Sequence, residues 1–254
     1  MQPNVSTGRV WLVGAGPGAA DLLTVRAARV IGSAQALLYD ALVDEEMLSL
    51  APDACLKIQT GKRAGRTSMR QETINRLMLR LARRGLEVVR LKGGDPSIFG
   101  RVGEEQAYLR SHGVESEVVP GVTAACAAAA QFGFPLTHRG MARRVVMTTA
   151  RLEAGRLSMD WSAAADREAT LAIYMGRDCA ADISAGLIAG GRPASTPALA
   201  VENAGGGGAR LRQGILADLA QLAAGEGGPI LFVVGEVAAL AGAPAMLRAL
   251  RAAG

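Results

Sequence analysis

The run Val88-Val89-Arg90-Leu91-Lys92 leads straight into Gly93-Gly94-Asp95-Pro96 and on through Ser97-Ile98-Phe99-Gly100-Arg101. An apolar strand that ends in two glycines bares its main chain where a parallel strand stops, and open α/β sheets bind ligands at such points. The glycines permit positive φ and close approach of a ligand. Asp95 has two readings there, which are compatible. It accepts hydrogen bonds from ribose hydroxyls or a cationic group, or it caps a helix with Pro96 at the first helical position.

Three further strand ends carry similar chemistry. Gly14-Ala15-Gly16-Pro17-Gly18-Ala19 fits G-x-G-x-x-A, and Asp40 closes the following strand. That pairing points to a dinucleotide site, with a diphosphate on a helix N-terminus and an acid on a ribose. Pro17 argues the other way because it lacks the N–H that such a turn donates, and a ligand-free tight turn fits the same residues. In Pro120-Gly121-Val122-Thr123-Ala124, Thr123 either caps the next helix or touches ligand. Met175, between Tyr174 and Gly176, is either core or a ligand platform, and His138-Arg139 is either an anion contact or exposed loop.

Alternating strands and helices must position these ends. Strands are expected over 10–13, 36–39, 56–59, 87–91 and 117–119, with helices over 22–31 and 104–111. Ile74, Leu77, Met78 and Leu81 recur at i, i+3, i+4 and i+7, which predicts a helix closed by Gly85. Helical crossovers imply a parallel sheet. Beyond Thr123 the texture changes to a small-residue helix over 124–131, then strands over 145–149, 170–174, 198–202, 211–213 and 230–234. Helices fit over 180–189 and 216–223, and Gly205–Gly208 reads as a flexible loop. The sequence predicts two α/β domains, 1–121 and 122–254.

Composition narrows the class. Half of the 254 residues are hydrophobic and a fifth are charged, which allows a sizeable core and argues against disorder. Cys55, Cys126 and Cys179 lack paired spacing and only His112 and His138 are present, so neither a disulfide framework nor a metal site is expected. The net charge is +5, carried almost wholly by arginine, whose planar fork suits carboxylate or phosphate but also serves ordinary solvated faces. No basic tract interleaves with aromatics, so nucleic-acid binding is not expected. Residues 1–9 contain no secretory apolar core, and no apolar run reaches the ~20 residues that span a bilayer, so a cytoplasmic, membrane-free protein is expected.

Taken in order, GAGPG, LLYDALV, GKRAG, QETIN, VVRLKGGDPSIFGR, VVPGVTAA, PLTHRG, YMG, ALAVEN and PILFVVGEV resemble the tetrapyrrole methylase family over nearly the whole chain. The resemblance implies a class III methyltransferase fold, with two α/β domains flanking a cleft that holds S-adenosylmethionine, in a homodimer. The combination of GKRAG with RLKGGDP and IFGR implies addition of two methyl groups to uroporphyrinogen III, through precorrin-1, to give precorrin-2. A methylase acting later in corrin synthesis is the alternative. The resemblance does not choose between a cobalamin and a sirohaem pathway.

Carried over residue by residue, it assigns Pro17, Gly93, Gly94, Asp95, Ile98, Thr123, Ala124, Met175, Ala204 and Ile230 to the S-adenosylmethionine site. It makes Asp40 the proton acceptor and Lys62 the donor. Arg101, Arg139 and Arg143 are candidates, by position alone, for the substrate carboxylates. Departures from the family pattern stand at Ala19, Ser97, Val102, Thr149-Ala150 and Ala204-Gly205, and bear on substrate fit and rate more than on the cofactor pocket. No dehydrogenase-chelatase extension precedes residue 1, so a fused sirohaem synthase is not expected.

Overall fold

A computed structural model describes residues 7–41, 43–61, 69–153, 156–159, 161–225 and 227–242. The chain divides into two compact units, Met1–Thr123 and Ala124–Gly254.

The first unit runs β1 (Val10–Gly14), α1 (Val25–Gly32), β2 (Ala36–Tyr39), α2 (Glu45–Leu48), β3 (Leu56–Gln59), α3 (Gln71–Ala82), β4 (Val88–Lys92), α4 (Val102–Ser111) and β5 (Ser116–Val119). Its strands form one sheet in the order β3-β2-β4-β1-β5, and every pairing is parallel. The central strands β1, β2 and β4 are buried on both faces, and β1 and β2 accordingly read as nearly unbroken apolar runs. Val13, Leu37, Val89, Leu91 and Val119 pack with Ala27, Ile31 and Met47 on one face. Val10, Leu12, Ala36, Leu38 and Val88 pack with Ile74, Met78, Leu81 and Leu109 on the other. All five strands end at the same edge, so their following loops meet there.

The helix expected over 22–31 is two pieces. A single 3-10 turn, Ala20–Leu22, is followed by an extended Leu23, and α1 starts only after Thr24, whose Oγ1 accepts from the Ala27 N–H at 3.1 Å. That cap is worth about 1 kcal/mol and fixes the start of α1 despite the apolar continuity of Leu22 and Leu23. The short α2 has no counterpart in the sequence reading.

The second unit runs α5 (Ala124–Phe132), β6 (Arg144–Thr149), β7 (Arg151–Glu153), β8 (Arg156–Ser158), β9 (Ala169–Tyr174), α6 (Ala180–Ala189), β10 (Pro197–Glu202), β11 (Arg210–Ile215), α7 (Leu219–Leu222) and β12 (Ile230–Val234). Its main sheet is mixed, in the order β11-β10-β12-β9-β6: only β6 and β9 pair parallel, and the rest are antiparallel. Leu171, Ile173, Ala200, Phe232 and Val234 face α6 and α7, while Ala172, Leu199, Val201, Leu231 and Val233 face α5. The helix expected over 216–223 is a 3-10 turn, Leu216–Asp218, followed by α7. The β7–β8 ribbon was not foreseen. Gly205–Gly208 is a turn held at two points rather than a free loop: Gln131 accepts from the Gly205 N–H at 2.8 Å and donates to the Gly206 carbonyl at 3.2 Å.

Candidate active site

Three loops meet at the edge of the first sheet where the strands end. Gly16 and Gly94 exchange main-chain hydrogen bonds, Gly16 N–H to Gly94 O at 3.2 Å and Gly94 N–H to Gly16 O at 2.6 Å. Ala15 N–H donates to the Lys92 carbonyl at 2.7 Å. A Cβ on Gly121 would stand 2.3 Å from the Gly94 carbonyl oxygen and 2.9 Å from Gly14 Cα, so these three backbones touch directly. Gly94 is left-handed at φ +69, as a glycine allows.

This stitching decides the dinucleotide reading. The N–H groups of Ala15 and Gly16 are occupied by the neighbouring loop, Pro17 has none, and α1 begins only at Val25. The two amides that the motif would turn toward a diphosphate are therefore spent within the protein.

Asp95 is the rivet of the same edge. Its Oδ1 accepts from the Ser97 N–H at 2.8 Å and from the Ser97 hydroxyl, and its Oδ2 accepts from the Gly121 N–H at 2.9 Å. The expected helix after Pro96 is absent: residues 96–100 are turns and bends, and α4 starts at Val102. Asp95 therefore caps an Asx-type turn and ties the β4 loop to the β5 loop. A carboxylate has about four lone-pair sites, so it keeps acceptor capacity for a ligand. Gly93 is exposed and Ile98 partly so on the same loop, Pro17 is half-buried across the Gly16–Gly94 bridge, and Thr123 is buried just before α5.

Asp40, directly after β2, is one-third exposed. Its Oδ1 accepts from Arg90 Nη2 at 2.5 Å. The Thr60 hydroxyl lies 3.1 Å from the same oxygen and 2.9 Å from the Tyr39 carbonyl, with one proton to serve them. Gly61 packs against this turn, since a Cβ there would lie 2.2 Å from Ala41 N. The expected partner Lys62 lies outside the described residues.

Arg90 belongs to a buried charge cluster that sequence reasoning missed. Arg90 and Lys92 alternate with Leu91 along β4, so both point to the α3 and α4 side. There Lys92 Nζ donates to both oxygens of the fully buried Glu105, at 3.0 and 2.9 Å, and Arg90 Nε lies 3.5 Å from Oε1. Gln71 adds a donor to Glu105 at 3.0 Å and another to Asn75 at 2.9 Å. Burial pushes the Lys92 ammonium below its ordinary pKa, and Glu105 opposes that shift without cancelling it.

In the second unit, register gathers four predicted residues at one sheet edge. Tyr174 pairs with Leu231 and Glu202 with Ile230, so Met175 after β9, Ala204 after β10 and Ile230 opening β12 are neighbours. The Tyr174 hydroxyl accepts from the Ala125 N–H at 3.3 Å, which brings Ala124 to the same edge. Met175 is 57% exposed and left-handed at φ +56, a conformation costly for a side chain and concentrated at functional sites. Beneath Ala204, buried Glu202 accepts from Arg177, from Arg212 at 3.2 Å and from Gly228 N–H at 3.1 Å.

The three arginines are exposed; Arg101 belongs to the first unit, and Arg139 and Arg143 stand four residues apart in the second. Arg101 grips Glu104 with two bonds of 2.8 and 2.6 Å, and Arg143 stands 3.7 Å from Glu168. Arg139 sits in the small turn closed by His138 and Ala142. Among the described residues, no group of three or more His, Cys, Asp or Glu is placed to hold a metal. No described helix is long and apolar enough to cross a membrane. A hollow of about 520 Å³ lined by Arg9, Arg110, Val114 and Glu115 opens where β1 and β5 begin, at the opposite end of the sheet, and holds none of the predicted residues.

Parallel sheet, mixed sheet and glycine-bared strand ends define a two-unit α/β protein. The chain belongs to the tetrapyrrole (corrin/porphyrin) methylases, whose family model matches residues 9–220. It is 46% identical to a uroporphyrinogen-III C-methyltransferase of Pseudomonas aeruginosa, over 91% of this chain and 94% of that protein. It is equally identical to a siroheme synthase of Chromobacterium violaceum, over 92% of this chain but 50% of that one. The chain thus spans about half the length of most of the curated relatives it matches, the siroheme synthases. Among solved structures, it superposes on uroporphyrin-III C-methyl transferase of Thermus thermophilus complexed with S-adenosylhomocysteine. That match has a TM-score of 0.76 and 41% identity, covering 91% of this chain and 93% of the other.

Proposed function

We propose that this chain transfers two methyl groups from S-adenosylmethionine to uroporphyrinogen III, by way of precorrin-1, to give precorrin-2. The observation that carries this reading is the likeness to the Pseudomonas enzyme, which spans both units and nearly all of that protein. The Thermus relative with S-adenosylhomocysteine supports the choice of methyl donor. Homodimeric assembly and a cytoplasmic setting belong to the same reading, the first resting on the family resemblance.

The residues fit such a donor. A lip of exposed Gly93, left-handed Gly94 and partly buried Ile98, with the Asp95 carboxylate between them, offers bared main chain and an anion, which suits a sulfonium and a nucleoside rather than a diphosphate. When bound, S-adenosylmethionine supplies an electrophilic methyl on a positive sulfur. The family resemblance assigns Pro17, Gly93, Gly94, Asp95, Ile98, Thr123, Ala124, Met175, Ala204 and Ile230 to holding and orienting it. Holding donor and nucleophilic carbon in line contributes about 7–11 kcal/mol in well-oriented reactions. Each new C–C bond forms as the S–C bond breaks toward sulfur, and the macrocycle discharges the added positive charge by losing a proton. Asp40 accepts such a proton and Lys62 donates one. Arg101, Arg139 and Arg143 meet substrate carboxylates, Arg101 by exchanging or sharing its grip on Glu104.

Incubating the purified chain with uroporphyrinogen III and S-adenosylmethionine tests the reading. The expected product is two methyl groups heavier; folded protein that binds S-adenosylhomocysteine yet adds no methyl group rejects it.

A further inference from the structure

We propose that Arg90 is the positioning residue for the Asp40 carboxylate, acting from inside the sheet as part of a charge-neutral cluster with Glu105 and Lys92. The proposal rests on the reading of Asp40 as the proton acceptor. Arg90 is 3% exposed and Asp40 33%, so the guanidinium reaches from the core to a carboxylate at the lip of the site. It is fixed on three sides: Nη2 to Asp40 at 2.5 Å, Nη1 to Thr60 Oγ1 at 3.0 Å and the Leu91 carbonyl at 3.3 Å, and Nε toward Glu105 at 3.5 Å.

The charges of the cluster give the arrangement its sense. Arg90 and Lys92 bring two cations into the core, and Glu105 brings one anion. Asp40 is the remaining counter-charge. A buried ion left without its partner is strongly unfavourable, so the interior itself demands a carboxylate at this point. The demand falls on one oxygen. Oδ1 takes the Arg90 bond and shares the Thr60 hydroxyl proton with the Tyr39 carbonyl, while Oδ2 accepts none among the described residues. One oxygen is the anchor and the other faces the reaction.

A purely structural Arg90 predicts lost stability and losses independent of Asp40; a positioning Arg90 predicts coupling to Asp40. The test measures kcat and KM for methyl transfer to uroporphyrinogen III, affinity for S-adenosylhomocysteine and the thermal midpoint in the full chain. The variants are Asp40→Asn, Arg90→Lys and the two combined. Arg90→Lys keeps the charge and loses the fork, so kcat is expected to fall at least about tenfold while KM and affinity stay within about twofold. Added to Asp40→Asn, it is expected to lower kcat no further. Should Arg90→Lys not fold, Thr60→Val removes the second bond to the same oxygen, and its loss of kcat is likewise expected to vanish beside Asp40→Asn. Wild-type turnover in Asp40→Asn removes the proton-acceptor reading itself. A slow Asp40→Asn with an unchanged kcat in Arg90→Lys, or with equal losses from Arg90→Lys in both backgrounds, overturns the positioning role alone.

Discussion

Asp95 Oδ2 accepts the Gly121 N–H at 2.9 Å, and this single bond joins the loop after β4 to the loop after β5. The two loops lie 26 residues apart in sequence and face each other across the end of β1. Replacing Asp95 by Ala removes a charge-assisted bond of about 1.5–3 kcal/mol. Calorimetry is expected to show S-adenosylhomocysteine affinity lowered about tenfold. Unchanged affinity with lowered stability would make Asp95 a scaffold residue only.

Gly121→Ala tests the contact itself. The new methyl group meets the Gly94 carbonyl oxygen at 2.3 Å, so backbone must move. Overpacking of this kind costs about 1–3 kcal/mol. Thermal midpoint and donor affinity are expected to fall together. Gly133→Ala is the control: it has φ +68 but open space around the new methyl, so stability falls and donor affinity holds.

Asp40→Asn is expected to lower methyl-transfer turnover by about 10²–10⁴-fold, the range for a lost general base. Affinity for S-adenosylhomocysteine stays nearly intact, because Asp40 is assigned to proton transfer and not to donor binding. A large loss of affinity would move Asp40 to the donor site.

Much of this was legible in the residues. The strands 10–13 and 36–39 declare themselves as short apolar runs before turn residues, 56–59 as an alternating Leu-Lys-Ile-Gln, and α3 through the spacing of Ile74, Leu77, Met78 and Leu81. The cluster of Arg90, Lys92 and Glu105 was not legible, because a strand with charges at alternate positions reads as a half-solvated strand. Only the packing of α4 over β4 turns those charges inward. Asp95 leaves two local readings open, because Asp-Pro signals a helix start and a turn equally well, and the structure takes the turn. The meeting of Met175, Ala204 and Ile230 depends on antiparallel register, which no local pattern encodes.

Glu202 ties acid stability to the second unit. Burial pushes its carboxyl upward, but Arg177, the Gly228 N–H and Arg212 together outweigh burial and hold it below the ordinary value. A depressed carboxyl contributes stability that is present above its unfolded pKa, about 4.3, and is lost as pH falls through the lower folded value. Unfolding of the wild type is therefore expected to steepen below about pH 4. Glu202→Gln is expected to be less stable at neutral pH and to lose much of that acid dependence. An acid limb that persists unchanged would assign it to other carboxylates.

The bridge between Gly16 and Gly94 has a consequence for the choice between the methyl donor and nucleotides such as ATP or NADH. Those molecules are gripped chiefly through their phosphates, by free main-chain amides at the mouth of a helix. Here the amides of Ala15 and Gly16 are already taken by the neighbouring loop, and Pro17 has none. A nucleotide phosphate meets no free donor on those three residues, so weak competition by such compounds is the expected outcome, without any repelling side chain.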